Sequence, residues 1–187
     1  SVTASNVFSC SSVLRALHSF PTARTSDVTT AVNGGTVTST GILTGATTVA
    51  AGAILNGSGT LSSVSNAGTF NVGNSLTATL SGTLDNTAVT TVGTNATLSA
   101  STINNTSGSI SIGAGGSLVG TGNTLNNAAL ITVADGGSVA DAGAINNNAG
   151  GTIRFTGAGT LNADSDNAGG EALNNSSTII SDSGVVP

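Results

Sequence analysis

Apolar and polar residues alternate in short stretches along the chain, and a four-residue phrase recurs among them. The phrase is a small residue, an aliphatic residue, Asn or Asp, and Asn. It occupies positions 83–86, 102–105, 124–127, 144–147 and 172–175. The aliphatic members are 19, 22, 20 and 28 residues apart. The chain therefore contains an internal repeat of about twenty residues, with one longer interval near its end.

Two further apolar columns keep the same period. The first contains Ile110, Ile131 and Ile153, at intervals of 21 and 22 residues. The second follows within each repeat and contains Leu118, Val139 and Leu161, at the same intervals. Alternation with period two indicates a strand that is buried on one face. Each repeat thus contains three short strands, separated by the turn-forming residues Gly, Asn, Asp and Ser.

Strands this short cannot enclose a core within one repeat, so successive repeats must stack on each other. The pattern predicts an all-β fold, a right-handed parallel β-helix (β-solenoid) over residues 34–187 with about 20–22 residues and three strands per coil. Stacking also aligns the second Asn of each phrase, and side-chain amides can hydrogen-bond along such a column. The predicted ladder contains Asn86, Asn105, Asn127, Asn147 and Asn175.

Composition narrows the possible partners. Hydrophobic residues make up 37% of the chain, which is enough for a thin aliphatic core and argues against disorder. The net charge is -5, and Arg15, Arg24 and Arg154 are the only Lys or Arg residues. So few cations cannot neutralise a run of phosphates, and no apolar run approaches the ~18 residues needed to span a bilayer. We expect neither nucleic-acid binding nor membrane insertion of this segment.

Residues 1–33 lie outside the repeat and have two interpretations. Ser11 or Ser12 is a suitable N-cap for a short helix that Pro21 would end, and such a helix would cover the open end of the solenoid. Residues 10–28 also resemble a translated sequencing adapter. Cys10 is the only Cys, so an intrachain disulfide is impossible.

The sequence does not favour catalysis, a cofactor or a zinc site. His18 is the only His, so a Ser-His-acid triad would depend on the segment of uncertain origin. One Cys and one His are too few to bind zinc. A β-helix enzyme acting on polysaccharides would gather carboxylates and cations on one face. The acids Asp85, Asp135, Asp141 and Asp182 instead occur singly at turn-like positions, and Arg154 alternates with apolar residues and is expected to point outward.

The long interval in the repeat contains an acidic insertion. Asp164, Asp166 and Glu171 offer oxygen ligands of the kind that calcium prefers. However, Ala168 stands where an EF-hand loop needs a ligand, and no Glu occupies the closing position. We expect a solvated loop, with a weak calcium site as the alternative.

Two Thr-x-Thr phrases, at 36–38 and 77–79, suggest an ice-binding array that would have to recur on every coil. The later strands taken to correspond carry Ser109 and Ser111, then Thr132, then Thr152 with Arg154. The array is broken there, so ice binding is not expected.

The loosely periodic strands, rich in Gly, Thr, Asn and Ala, resemble those of autotransporter passenger domains and filamentous-haemagglutinin-like adhesins over residues 34–184. This resemblance implies a protein of the bacterial surface, secreted and active in adhesion, aggregation or biofilm formation. We therefore expect a non-catalytic adhesin or stalk whose ligand is an unidentified glycan or protein. A filament that self-associates through the solenoid ends is the alternative, and a polysaccharide-active enzyme is less favoured.

Overall fold

The computed structural model describes residues 29–122, 124–167, 169 and 171–182, together with the backbone of residues 7 and 8. These residues form 22 strands. The first eleven are β1 (Val7–Phe8), β2 (Thr30–Val32), β3 (Thr36–Ser39), β4 (Ile42–Leu43), β5 (Thr47–Val49), β6 (Ile54–Gly57), β7 (Gly59–Leu61), β8 (Val64–Asn66), β9 (Thr69–Val72), β10 (Thr77–Asn86) and β11 (Val89–Val92). The others are β12 (Thr97–Asn105), β13 (Ser109–Ile112), β14 (Ser117–Gly120), β15 (Thr124–Asn127), β16 (Leu130–Val133), β17 (Gly137–Asp141), β18 (Ala144–Asn147), β19 (Thr152–Phe155), β20 (Gly159–Asn162), β21 (Leu173–Asn175) and β22 (Thr178–Ser181).

From β2 onward, successive strands lie on three faces of the solenoid in a fixed order. Face 1 contains β3, β6, β9, β11, β13, β16, β19 and β22. Face 2 contains β4, β7, the first parts of β10 and β12, β14, β17 and β20. Face 3 contains β1, β2, β5, β8, the second parts of β10 and β12, β15, β18 and β21. Because β10 and β12 continue around the corner between faces 2 and 3, these two faces form one 14-stranded sheet, beside the 8-stranded sheet of face 1.

All of these strands pair in parallel with the equivalent strand of the neighbouring coil, as in the β11–β13 and β14–β17 pairs. About seven coils stack in this way, with three strands in each. The predicted parallel β-solenoid is confirmed. The three strands of a coil are too short to bury a core alone, so the stack rather than the single coil is the folding unit.

The core is a set of aliphatic columns that run along the solenoid axis. On face 1, Ile110 pairs with Ile131, which pairs with Ile153. On face 2, the corresponding column contains Leu118, Val139 and Leu161. The first five of these side chains are fully buried, and Leu161 is partly buried against the same cluster. Alternation within each strand places these residues inside and their neighbours outside.

Tight turns connect face 1 to face 2, and they stack as regularly as the strands do. Ser75 and Asn95 have positive φ values of 58° and 53° at these turns, and Gly115 and Gly136 occupy the equivalent positions in the next two coils. The Asn95 N–H donates to the Ala114 carbonyl of the following turn at 2.9 Å. Left-handed backbone is accessible to Gly and tolerated by Asn, which explains three of the four residues at this corner but not Ser75.

The solenoid begins ahead of Gly34, because β2 already pairs with β5. On the other side of β2, β1 adds one more parallel strand to face 3 through the pairs Val7–Ala31 and Phe8–Val32. The predicted capping helix and the adapter-like segment at 10–28, which contains Cys10 and His18, lie outside the described residues.

Candidate functional site

A buried ladder of Asn side chains runs along the inside of face 3. It contains the predicted residues Asn86, Asn105, Asn127, Asn147 and Asn175, and it begins one coil earlier, at Asn66. Each Nδ2 donates to the Oδ1 of the next Asn toward the C-terminal end, over 2.7 to 2.9 Å. The first five side chains are almost completely buried, whereas Asn175, in the last coil described, is exposed.

From Asn66 to Asn147, the second amide hydrogen of each ladder residue bonds to the backbone of face 1 in the following coil. Asn105 Nδ2, for example, also donates to the Leu130 carbonyl at 3.1 Å. The Thr90 hydroxyl, which interrupts the aliphatic column of face 1, donates to Asn86 Oδ1 at 2.9 Å. Burying an amide is costly unless its donors and acceptor are paired, and these bonds meet that requirement. The ladder therefore ties two faces together as well as successive coils.

A second ladder runs along the outside of face 3, and sequence reasoning missed it. It contains Asp85, Asn104, Asn126, Asn146 and Asn174. Each Asn Nδ2 donates to the preceding residue, toward the N-terminal end, over 2.7 to 2.9 Å. This direction is opposite to that of the buried ladder. The signal was present in the repeated phrase, whose third position is always Asn or Asp and points outward when the fourth points inward.

The Thr-x-Thr phrases lie on different faces, which corrects their alignment. Thr36 and Thr38 belong to face 1, but Thr77 and Thr79 belong to face 2. On face 2 an outward column of hydroxyl side chains contains Thr77, Thr97, Ser117, Ser138 and Thr160. The adjacent outward column continues from Thr79 through Ser99 to Val119 and Ala140. The two columns together do not form a continuous array of paired hydroxyl groups.

The prediction that Asp85 and Asp141 occupy turn-like positions is wrong, because Asp85 lies within β10 and Asp141 within β17. Asp141 is the last residue of β17 and is fully buried, directly above Gly120 of the preceding coil. Its carboxylate fills the space that a side chain at Gly120 would need. The Gly143 N–H donates to Oδ1 at 2.7 Å, while Oδ2 has no partner among the described residues. Burial raises the pKa of Asp141, although the bond from Gly143 opposes the shift.

The acidic insertion brings its three predicted ligands together. One carboxylate oxygen from each of Asp164, Asp166 and Glu171 lies within 4.8 Å of the others. Asp164 Oδ1 and Glu171 Oε2 are inaccessible to solvent and have no hydrogen-bond partner among the described residues. The Ser165 N–H donates to the Asp141 carbonyl at 3.0 Å and so anchors the loop to the end of β17. Three close carboxylates repel one another, and a bound cation would relieve that repulsion.

The remaining acids of the solenoid have structural partners. Arg154 points outward from β19, as expected, and its Nε donates to Asp182 Oδ2 at 2.7 Å. Asp135 Oδ1 accepts from the Ala158 N–H at 3.0 Å. Asp85 accepts from the first amide of the outer ladder. Within the described residues, these groups bind the coils to each other rather than converge on a cleft.

Comparison of the chain with protein-family models, with curated proteins and with solved structures found no match. No helix with the length and hydropathy needed to cross a membrane occurs among the described residues.

Proposed function

We propose that this chain is a non-catalytic rod segment of a secreted bacterial surface protein, which acts as an adhesin or stalk in cell adhesion or aggregation. The observation that carries the proposal is the unbroken buried ladder from Asn66 to Asn147, in which every amide bonds to the next coil. Hydrogen bonds along the axis resist bending and shear between coils. A protein that holds or carries a contact surface away from a cell needs that resistance.

Three of the outward columns, one on each face, agree with this role because most of their residues are polar and few are charged. On face 1 one such column contains Thr38, Asn56, Asn71, Thr91, Ser111, Thr132 and Arg154. Face 2 presents hydroxyl groups and face 3 presents amides at the spacing of the coils, about 4.8 Å. A regular array of hydrogen-bonding groups suits extended contact with a glycan or a protein surface, since it offers many weak bonds and little electrostatic repulsion.

Display on a non-aggregating bacterium tests the proposal. The chain is fused to a membrane anchor, and cell sedimentation and adhesion to immobilised glycans and matrix proteins are measured against the anchor alone. Asn105→Ala, which interrupts the ladder, serves as a variant at equal surface density, checked with an antibody. We expect sedimentation or adhesion above the anchor alone, reduced in the variant. Behaviour identical to that of the anchor in both assays would contradict the proposal.

A self-assembling filament is the second candidate, and the solenoid ends favour it. Within the described residues, β3 and β4 at one end and β21 and β22 at the other pair on one side only. Ile42 on β4 is 72% exposed, and Ile180 on β22 is 36% exposed. Open strand edges with exposed apolar residues promote association between copies.

Light scattering over a concentration series distinguishes the filament from the rod. End-to-end stacking predicts that molar mass rises with concentration and that Ile42→Lys or Ile180→Lys suppresses the rise. Val89→Lys is the matched control, because Val89 is an exposed apolar residue in the middle of face 1. A constant monomer mass rules out the filament, and suppression by Val89→Lys alone would indicate lateral rather than end-to-end association.

A further inference from the structure

We propose that Asn33 is a self-modifying site, at which the side-chain amide is lost through attack by the backbone nitrogen of Gly34. The chain contains two Asn-Gly pairs, 33–34 and 56–57. Only the first is exposed and lies outside a paired strand, so the fold and not the dipeptide selects the site.

The first pair lies in the turn between β2 and β3. Asn33 and Gly34 are both exposed, and a Cβ built on Gly34 would have no neighbour within 4 Å. None of the hydrogen bonds between described residues involves the Asn33 side chain or the Gly34 N–H. The Gly34 nitrogen can therefore approach Asn33 Cγ without breaking a strand pair and without displacing a packed neighbour among the described residues.

The second pair is held inside the sheet. Asn56 belongs to β6, which pairs with β3 on one side and β9 on the other. Its Oδ1 accepts from Asn71 Nδ2 at 3.1 Å. Gly57 is buried, and a Cβ there would lie 2.8 Å from Phe70 Cε2. Extended strand backbone directs the following nitrogen away from the side-chain carbonyl, so a ring cannot close at Asn56 unless β6 first opens.

The chemistry is balanced without any cofactor. The Gly34 nitrogen bonds to Asn33 Cγ and loses its proton, while the side-chain nitrogen leaves as ammonia, which gives a five-membered succinimide. Water then opens the ring at either carbonyl. One product is an ordinary aspartate at position 33, and the other is the isoaspartate, in which the chain continues through the side-chain carboxyl carbon. The net reaction consumes one water and releases one ammonia, with no change of oxidation state.

Both products alter the N-terminal coil. Each adds one negative charge to a chain whose formal net charge is -5. The isoaspartate also lengthens the backbone in the turn that leads from β2 to β3. Because β3 is an edge strand that pairs only with β6 among the described residues, we expect the disturbance to remain in this coil.

The folded chain is incubated at neutral to mildly alkaline pH and digested at intervals for mass spectrometry. A protease of broad specificity is needed, since trypsin would leave both pairs in one peptide between Arg24 and Arg154. Electron-based fragmentation separates the aspartate product from the isoaspartate. If opening β6 costs a free energy of only ~1.4 kcal/mol, the reaction at Asn56 is slowed tenfold. We therefore expect Asn33 to convert at least ~10-fold faster than Asn56.

Two controls separate the fold from the dipeptide. In urea-unfolded chain the two sites should convert at similar rates, and in folded Gly34→Ala the conversion at residue 33 should slow sharply. Gly34 has open space and an ordinary φ, so this substitution is compatible with the fold. Equal conversion of Asn33 and Asn56 in the folded chain would overturn the proposal, as would an unchanged Asn33 in folded chain that converts once unfolded.

Discussion

Replacing Asn105 by Ala tests whether the buried ladder stabilises the solenoid. The substitution removes two hydrogen bonds donated by Asn105 Nδ2, to Asn127 Oδ1 at 2.7 Å and to the Leu130 carbonyl at 3.1 Å. It also removes the bond that Asn105 Oδ1 accepts from Asn86 at 2.8 Å. The shorter side chain would leave a cavity at a fully buried position.

The structure sets the expected magnitude. Each lost bond costs ~1 kcal/mol, and a buried group left without a partner costs ~1–3 kcal/mol. Asn86 Nδ2 keeps two backbone acceptors, and Asn127 Oδ1 keeps a long bond from the Ala129 N–H. The Leu130 carbonyl loses its side-chain donor but lies in β16, which stays paired with β13. We expect Asn105→Ala to lower the free energy of unfolding by ~3–5 kcal/mol.

Asn104→Ala is the matched control in the same strand. It removes bonds to Asp85 at 2.7 Å and from Asn126 at 2.9 Å, but these lie on the outer surface, where water replaces them. We expect a loss of at most ~1 kcal/mol. Urea unfolding is followed by circular dichroism, because the chain has no Trp or Tyr for fluorescence.

The losses in free energy of unfolding of the two variants are compared to test whether the buried ladder stabilises the solenoid. Equal losses for Asn104→Ala and Asn105→Ala would refute the reasoning, because Asn105 is buried and has the additional bond to the Leu130 carbonyl, whereas Asn104 lies on the outer surface. A split transition for Asn105→Ala would show that the coils on either side unfold separately, as stacked repeats do when one interface weakens.

Four further predictions concern other groups. Because burial raises the pKa of Asp141, the protonated carboxyl stabilises the fold fully below the usual pKa of Asp, and this stabilisation is lost as the pH rises through the raised pKa. Asp141→Asn should therefore raise the Tm at neutral pH and make the Tm less dependent on pH. Gly120→Ala should cost ~1–3 kcal/mol by overlap with the Asp141 carboxylate, and a double-mutant cycle with Asp141→Ala should show recovery rather than additivity. In chelator, Asp164→Asn should raise the Tm by reducing repulsion in the acidic loop, and a fall would contradict this. Arg154→Ala should cost less than ~1 kcal/mol, with the effect vanishing at high salt, because its ion pair with Asp182 is exposed.

Much of the fold could be predicted because stacking repeats the same environment. A residue such as Ile131 has the equivalent Ile110 below it and Ile153 above it, so a spacing in sequence becomes a contact in space. The ladder was predictable for the same reason, since Asn recurs at an inward position. Asn66 was missed because Val64-Ser65-Asn66 lacks the third-position Asn or Asp of the later phrases.

Asp141 shows why single positions were harder to predict. A lone Asp beside Gly and Ala is usual in turns, and its inward position follows only from alternation with Val139. The space for its carboxylate comes from Gly120, 21 residues earlier, which has no side chain. A buried acid in a solenoid is therefore recognised by comparing the residues stacked at one position of successive coils, and not from the repeated phrase. A search of each stacked position for a Gly, which leaves space for the neighbouring side chain, would have located Asp141.

The two ladders also explain how the stack can vary in stiffness along its axis. In the column of the buried ladder, the first two coils have Val32 and Val49 in place of Asn. On face 3 these two coils stack through aliphatic contacts and backbone bonds, and the Asn71–Asn56 amide bond at 3.1 Å on face 1 joins the second coil to the third. From Asn66 onward, each face 3 strand is held by an inner amide that donates forward, and from Asn104 also by an outer amide that donates backward. A lateral shift of one coil would then break bonds of both directions at once, so we expect the later coils to move together and the first coil to open most easily.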